Sequence, residues 1–203
     1  MRSHEISHVG SAYGGWDVAL GLIPSGATVI SCGVGNDFSF SQLLIEQRNC
    51  FIVMVDPNSV AIATVAASGL PASNYKHVMA ALWTNDHGVD FGAELSNGAG
   101  IFSRGRMLHL GSISLKSLLT EYPHTALLKM DVEGAEYEVL EQYDFAIRPV
   151  QIAVGFHFKK RPEKNYDLIL DRMRSLGYTV RCKRQEDQSE MVVLLTRLPC
   201  AYA

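Results

Sequence analysis

The sequence predicts an α/β protein with a doubly wound, mostly parallel sheet, on three observations. Short apolar, β-rich runs alternate with longer segments of helical spacing, the order that builds a parallel sheet covered by helices. One of the runs, from Cys50 to Val55, is apolar without interruption, as in a strand buried on both faces. The 203 residues suffice for one ordinary domain and not for two full ones, so 1–203 is expected as a single domain with a lead-in over 1–26.

The first strand is expected over 28–32. It ends in Gly33-Val34-Gly35-Asn36, and Phe38, Phe40, Leu43, Leu44 and Ile45 then recur at helical spacing up to Arg48. After the apolar run at Cys50, Asp56-Pro57-Asn58 stops the strand and starts a helix to about Ser68. A third strand is expected over 77–82, and Asn85-Asp86-His87-Gly88 reads as a turn into a short strand over 89–91. Residues 92–105 are glycine-rich and patternless, which suggests a mobile loop over a site. Strands over 126–131 and 150–157 alternate with helices over 135–143 and 165–176, and segments 178–184 and 191–196 form an antiparallel hairpin.

The chain carries 18 Lys and Arg against 21 Asp and Glu, a formal charge of -3 that gives no broad electrostatic reason to bind nucleic acid or an anionic membrane. A small molecule is the expected partner. Cys32, Cys50, Cys182 and Cys200 lie far apart with no zinc-ligand spacing, and with no signal-like or membrane-spanning run a cytoplasmic protein is expected.

Doubly wound sheets bind ligands outside the carboxyl ends of their strands, so the residues there are weighed one by one. Gly33, Val34 and Gly35 form a strand-to-helix turn that a ligand can approach closely, or merely a tight turn. Phe38 stands where a dinucleotide fingerprint would have its third glycine, and Asp37 places a negative charge at the helix start, unwelcome beside a pyrophosphate. A nucleoside ligand without phosphates and with a positive charge fits better, and S-adenosylmethionine is one. Asp56, about 20 residues on, can accept hydrogen bonds from both ribose hydroxyls or serve as a helix N-cap.

The segments Ser31-Cys-Gly-Val-Gly-Asn-Asp-Phe-Ser-Phe40, Val55-Asp-Pro-Asn58 and Leu127-Leu-Lys-Met-Asp-Val-Glu-Gly-Ala-Glu-Tyr-Glu-Val-Leu140 resemble, in order and spacing, the FkbM-type family of S-adenosylmethionine-dependent methyltransferases. The resemblance spans about residues 13–158, and the last segment is the specific one. It implies a Rossmann-like class I methyltransferase fold with a seven-stranded sheet whose C-terminal hairpin supplies the antiparallel strand. The implied reaction is O-methylation with S-adenosylmethionine as the cofactor.

The expected cofactor-binding residues are Gly33, Val34, Gly35, Asp37, Asp56 and Asn58, with Leu82 or its neighbours against the adenine. Asp131, Glu133 and His157 are the expected catalytic residues, at the mouth of the crevice. Lys129 shares a strand face with Asp131, its expected ion-pair partner, and the pair could be purely structural. His157 could be a satisfied structural histidine, or a base with room beside it from Ala153 and Gly155. A metal shared by these carboxylates and His157 is conceivable, but no spacing demands one and none is expected. Tyr13-Gly14-Gly15-Trp16 could place an aromatic ring near the sulfonium or be an ordinary anchored loop, and Lys159-Lys160-Arg161 reads as a solvated face or an anchor for an acidic substrate. The alternatives are a nicotinamide-dependent oxidoreductase and a non-catalytic binding module on the same fold. The sequence leaves the identity of the hydroxyl acceptor open.

Overall fold

The structure, a computed structural model, describes residues 5–93, 106–186 and 189–197. The chain begins with a small antiparallel hairpin, β1 (Ser7–Val9) and β2 (Trp16–Val18). Then follow β3 (Thr28–Cys32), α1 (Ser39–Arg48), β4 (Phe51–Val55), α2 (Ser59–Ala66) and β5 (Tyr75–Val78). Next come β6 (Ala81–Trp83), β7 (Val89–Ala93), β8 (Arg106–Leu110), β9 (Ser112–Ser114) and α3 (Leu115–Glu121). The rest is β10 (Leu127–Met130), α4 (Glu136–Gln142), β11 (Gln151–His157), α5 (Tyr166–Ser175), β12 (Thr179–Gln185) and β13 (Glu190–Thr196).

Seven strands form the central sheet in the order β12-β13-β11-β10-β3-β4-β5, parallel except that β13 pairs antiparallel with both β11 and β12, as the sequence led us to expect. The chain winds outward from β3 through β4 to β5, then returns to place β10 and β11 on the other side of β3. The switch point is therefore the crevice between the carboxyl ends of β3 and β10, which pair in parallel with Cys32 opposite Met130.

Alternation along these strands divides the apolar side chains between two cores. Ile30, Cys32, Val53, Val55, Leu128, Met130, Val154 and Phe156 pack with α3, α4 and α5 on one face. Val29, Ile52, Met54, Leu127 and Ala153 pack with α1, α2 and the hairpin on the other. Helix starts follow local chemistry. The side chains of Asn58, Ser114 and Asn165 each accept a backbone N–H in the first turn of α2, α3 and α5. Buried Gln151 exchanges two hydrogen bonds with the backbone of Ala19, which ties the N-terminal segment to the sheet.

Some expected boundaries need correction. The run over 77–82 is two strands: β5 ends at Val78, the chain bends at Ala80, and β6 leaves the central sheet to pair in parallel with β9. An apolar run does not reveal its hydrogen-bonding partner, so the bend was invisible. Of the segment 92–105, Gly92 and Ala93 belong to β7, which pairs antiparallel with β8, and 94–105 lie outside the described residues. The hairpin β1–β2 and the short α3 carry too few periodic positions to be foreseen. Among the described residues, no helix is long and apolar enough to cross a membrane.

Candidate active site at the carboxyl ends of the strands

The glycine turn sits directly beyond β3. Gly33 has φ +74°, and a Cβ placed on it would overlap the backbone carbonyl of Asp131 at the end of β10. The absence of a side chain thus lets the two strand ends at the switch point touch. Gly35, with φ +58°, is different: a Cβ there meets nothing within 4 Å, so this part of the turn faces open space.

Asp56 braces that turn from the end of β4. Its Oδ2 accepts the N–H groups of Val34 and Gly35, both at 2.8 Å, and its Oδ1 accepts the N–H of Asn58 at 2.8 Å. A carboxylate offers about four acceptor positions, so about one is left for a ligand hydroxyl. The residue is 6% exposed. Asp56 is therefore first a structural clamp that holds two glycine-turn amides in register.

Asp37 points elsewhere. Its carboxylate accepts Ser11 Oγ at 2.5 Å and the N–H of Ser39 at 2.8 Å, capping α1 and fastening the loop between β1 and β2. Partial burial pushes its pKa up, but these hydrogen bonds outweigh that and hold the carboxyl below its usual range. Asn58 is exposed and caps α2. Leu82 is 3% exposed and packed among core side chains, whereas Met79, just beyond β5, is 61% exposed.

Tyr13 is exposed, and the ring of Trp16 lies 4.9 Å from Lys129 Nζ. The cation that Trp16 meets is thus the protein's own. Lys129, buried in β10, also donates to the carbonyls of Cys32, at 3.3 Å, and Gly33, with Asp131 Oδ2 at 3.4 Å. The expected Lys129–Asp131 pair is present, but an aromatic face and two carbonyls share the ammonium. That dense set of partners explains how a lysine is accommodated in an apolar strand.

Asp131, Glu133 and His157 do come together. His157 Nε2 lies 3.5 Å from Asp131 Oδ1 and 4.0 Å from Glu133 Oε2. Glu133 reaches its place through a left-handed backbone, φ +54°, followed by Gly134 at φ +104°. Such a conformation costs a non-glycine residue of order 1 kcal/mol and recurs at functional sites.

Two acids that sequence reasoning did not single out complete the cluster. Glu136, fully buried at the start of α4, accepts the N–H groups of Gly134 at 2.9 Å and His157 at 2.7 Å, and its Oε1 lies 3.2 Å from His157 Nδ1. Glu190 opens β13, directly opposite His157 in the antiparallel register, with Oε2 3.9 Å from Nε2. The space expected beside the imidazole above Gly155 is taken, because a Cβ on that glycine would collide with Glu190 Oε1. Only the pairing of the C-terminal hairpin with β11 brings Glu190 here, whereas Glu136 could have been noticed as the further acid of the Asp-Val-Glu-Gly-Ala-Glu segment.

The electrostatics follow from this crowding. Burial alone pushes the His157 pKa down, but Glu136, Asp131 and Glu190 outweigh it and bring it up to about 10. The same burial, with Asp131 beside it, raises the Glu190 carboxyl to about 7. Of residues 159–161, Lys159 is exposed, whereas the other two are engaged by acids. Arg161 is paired with Glu138 and Glu163, and Lys160 Nζ lies 3.6 Å from Glu133.

The family profile described as Methyltransferase FkbM domain matches residues 105–180. That span contains Asp131, Glu133, Glu136 and His157, but neither the glycine turn nor Asp56 nor Glu190. No curated protein matches the chain. Among solved structures, M. capricolum TrmK in complex with S-adenosyl-homocysteine superposes with a TM-score of 0.51 at 12% identity, covering 87% of this chain and 64% of that one. The fibrillarin of a fibrillarin/Nop5p complex gives 0.51 at 10% identity, covering 85% and 73%. The chain thus spans about two thirds of the length of the TrmK it matches. At these identities the likeness shows the fold, that of the Rossmann-like class I methyltransferases.

Proposed function

We propose that this chain is an S-adenosylmethionine-dependent methyltransferase that methylates a hydroxyl oxygen of a small molecule, sugar or natural product. The observation that carries the reading is the placement of an open glycine turn, braced by Asp56, beside a carboxylate–histidine cluster, with the switch point of the sheet between them. The FkbM profile and the fold support S-adenosylmethionine as the cofactor.

The residues fit such a ligand. Gly33, Val34 and Gly35 form the turn against which it would lie, Asp56 keeps about one acceptor position for a ribose hydroxyl, and Asn58 flanks that position. Met79, exposed where Leu82 is enclosed, takes the adenine contact in place of Leu82. Asp37 acts on the turn indirectly, through α1 and the loop at Ser11. When bound, S-adenosylmethionine would supply a methyl group already activated as a sulfonium, which leaves to the protein the placement of the acceptor oxygen and the removal of its proton.

The protein must align the acceptor and take that proton. Alignment can lower the barrier by roughly 7–11 kcal/mol, and a placed base typically adds about 10²–10⁴-fold. With its pKa up to about 10, His157 is an imidazolium at neutral pH and does not take the proton in this state. That step falls to the carboxylates of the cluster, Asp131 and Glu133 on the β10–α4 loop together with Glu190. His157 holds the acids together.

An oxidoreductase would need room for a pyrophosphate at the turn, where Phe38 leads into α1 and the Asp37 carboxylate is nearby. Calorimetry with S-adenosylmethionine, S-adenosylhomocysteine and NAD tests the reading. Saturable binding of the first two is expected, and binding of NAD alone overturns it. Turnover with no hydroxyl acceptor, despite cofactor binding, would favour a non-catalytic binding module.

A further inference from the structure

We propose that Asp131, His157 Nε2 and Glu190 form a binding site for one divalent transition-metal ion of the Mn²⁺ or Zn²⁺ kind, with Glu133 at its rim. This inference does not rest on the methyl-transfer reading.

Three features of the cluster support it. One ligand atom from each of Asp131, His157 and Glu190 lies within 4.8 Å of the others. The Nε2 distances are 3.5 Å to Asp131 and 3.9 Å to Glu190. An ion about 2.0–2.2 Å from each donor holds neighbouring donors roughly 3–3.5 Å apart, so the two Nε2 distances already lie close to that range and the two carboxylates, within 4.8 Å of each other, need close by no more than about 1–2 Å, a side-chain rotation.

The second feature is the orientation of the imidazole. His157 is 8% exposed, and its Nδ1 is directed at Glu136, which is itself fully buried and pinned by the amides of Gly134 and His157. A histidine that gives Nδ1–H to a buried carboxylate presents a basic Nε2 lone pair in a fixed direction, the arrangement that orients metal-ligating histidines. Here that direction is into the carboxylate cluster, and Asp131 and Glu190 keep side-chain exposures of 37% and 20%, which leaves a route for an ion.

The third is charge. The carboxylates facing the site are those of Asp131, Glu133, Glu136 and Glu190, and the lysines are Lys129, beside Asp131, and Lys160, beside Glu133. With His157 neutral and ligating, four negative charges and two positive ones leave a net charge of two minus, which a divalent ion neutralises. One imidazole nitrogen among hard oxygens favours Mn²⁺ or Zn²⁺ over Mg²⁺ or Ca²⁺. Binding releases the imidazolium proton to solvent, so no redox partner is involved.

The full-length chain, freed of metal by chelation, is titrated with Mn²⁺ while the electron paramagnetic resonance signal of the free ion is followed, and Zn²⁺ is added as competitor. One bound equivalent, displaced by Zn²⁺, is expected. Glu190→Gln and His157→Gln should each weaken binding about tenfold or more, and Glu136→Gln about 10–100-fold. Circular dichroism verifies that each variant is folded, and if the buried variants fail to fold, Glu190→Gln alone decides. No saturable binding at millimolar Mn²⁺, or binding that the folded variants leave unchanged, overturns the proposal, and in the first case an imidazolium simply fills the position. Calorimetry with S-adenosylhomocysteine on the same protein separates the two readings. Cofactor binding without metal binding defeats only this inference, and metal binding without cofactor binding defeats only the proposed function.

Discussion

Gly33 lies so close to Asp131 that any side chain on it would run into the backbone carbonyl of Asp131, and this contact joins the ends of the two strands that flank the crevice. The glycine nearer β3 is thus required by the protein's own packing, and the one two residues later faces open space.

Alanine at the two positions should therefore behave differently. Gly33→Ala combines left-handed strain of about 1–2 kcal/mol with a backbone clash and is expected to cost about 2–4 kcal/mol in total. Gly35→Ala meets no neighbour and should cost about 1–2 kcal/mol, yet weaken S-adenosylhomocysteine binding, because its methyl group projects into the proposed ligand space. Denaturant unfolding and calorimetry read both, and equal stability losses would contradict the contact described.

Asp56→Ala removes an acceptor from three backbone N–H groups. Buried donors left without a partner are costly, so a loss of about 2–4 kcal/mol is expected. S-adenosylhomocysteine affinity should fall by at least about tenfold through the misplaced turn and the lost ribose contact. Asp56→Asn keeps one oxygen acceptor and should recover part of the stability but little of the affinity. Unaltered affinity in the alanine variant would remove Asp56 from the cofactor site.

Asp37 provides a pH test away from the crowded cluster. Its folded-state pKa lies below the unfolded value of about 4, so its stabilising effect is fully present above about pH 4 and disappears as the pH falls through the lower folded value. Thermal melts of the wild type and Asp37→Asn should differ most near neutral pH and converge in strong acid. A difference that widens on acidification would reverse the sign and refute the assignment.

Phe156 is fully buried, with its ring centroid 5.4 Å from that of Tyr137 and 5.5 Å from that of Tyr166. Truncation to alanine should cost about 3–5 kcal/mol, lowering the urea midpoint. The neighbouring residue in β11 is His157, so near-native stability in this variant would show that the strand carrying the cluster is not locked by the core beneath it.

The sequence by itself determined the layered α/β architecture, the parallel strands and the hairpin at the end, because each depends on local signals: the period of apolar residues and the punctuation by glycine and proline. It also placed Gly33, Gly35, Asp56, Asp131, Glu133 and His157 at strand ends, since a parallel sheet brings the carboxyl ends of its strands to one edge. What those residues touch was decided only by the tertiary structure. Leu82 went into the core because the chain bends after β5, and Trp16 turned to Lys129 because a hairpin too short to show periodicity packs against β11, the neighbour of β10. Glu190 entered the cluster because an antiparallel register sets it opposite His157, 33 residues away in the chain. Contacts between residues so distant in sequence depend on strand pairing and side-chain direction, for which a linear pattern carries no signal.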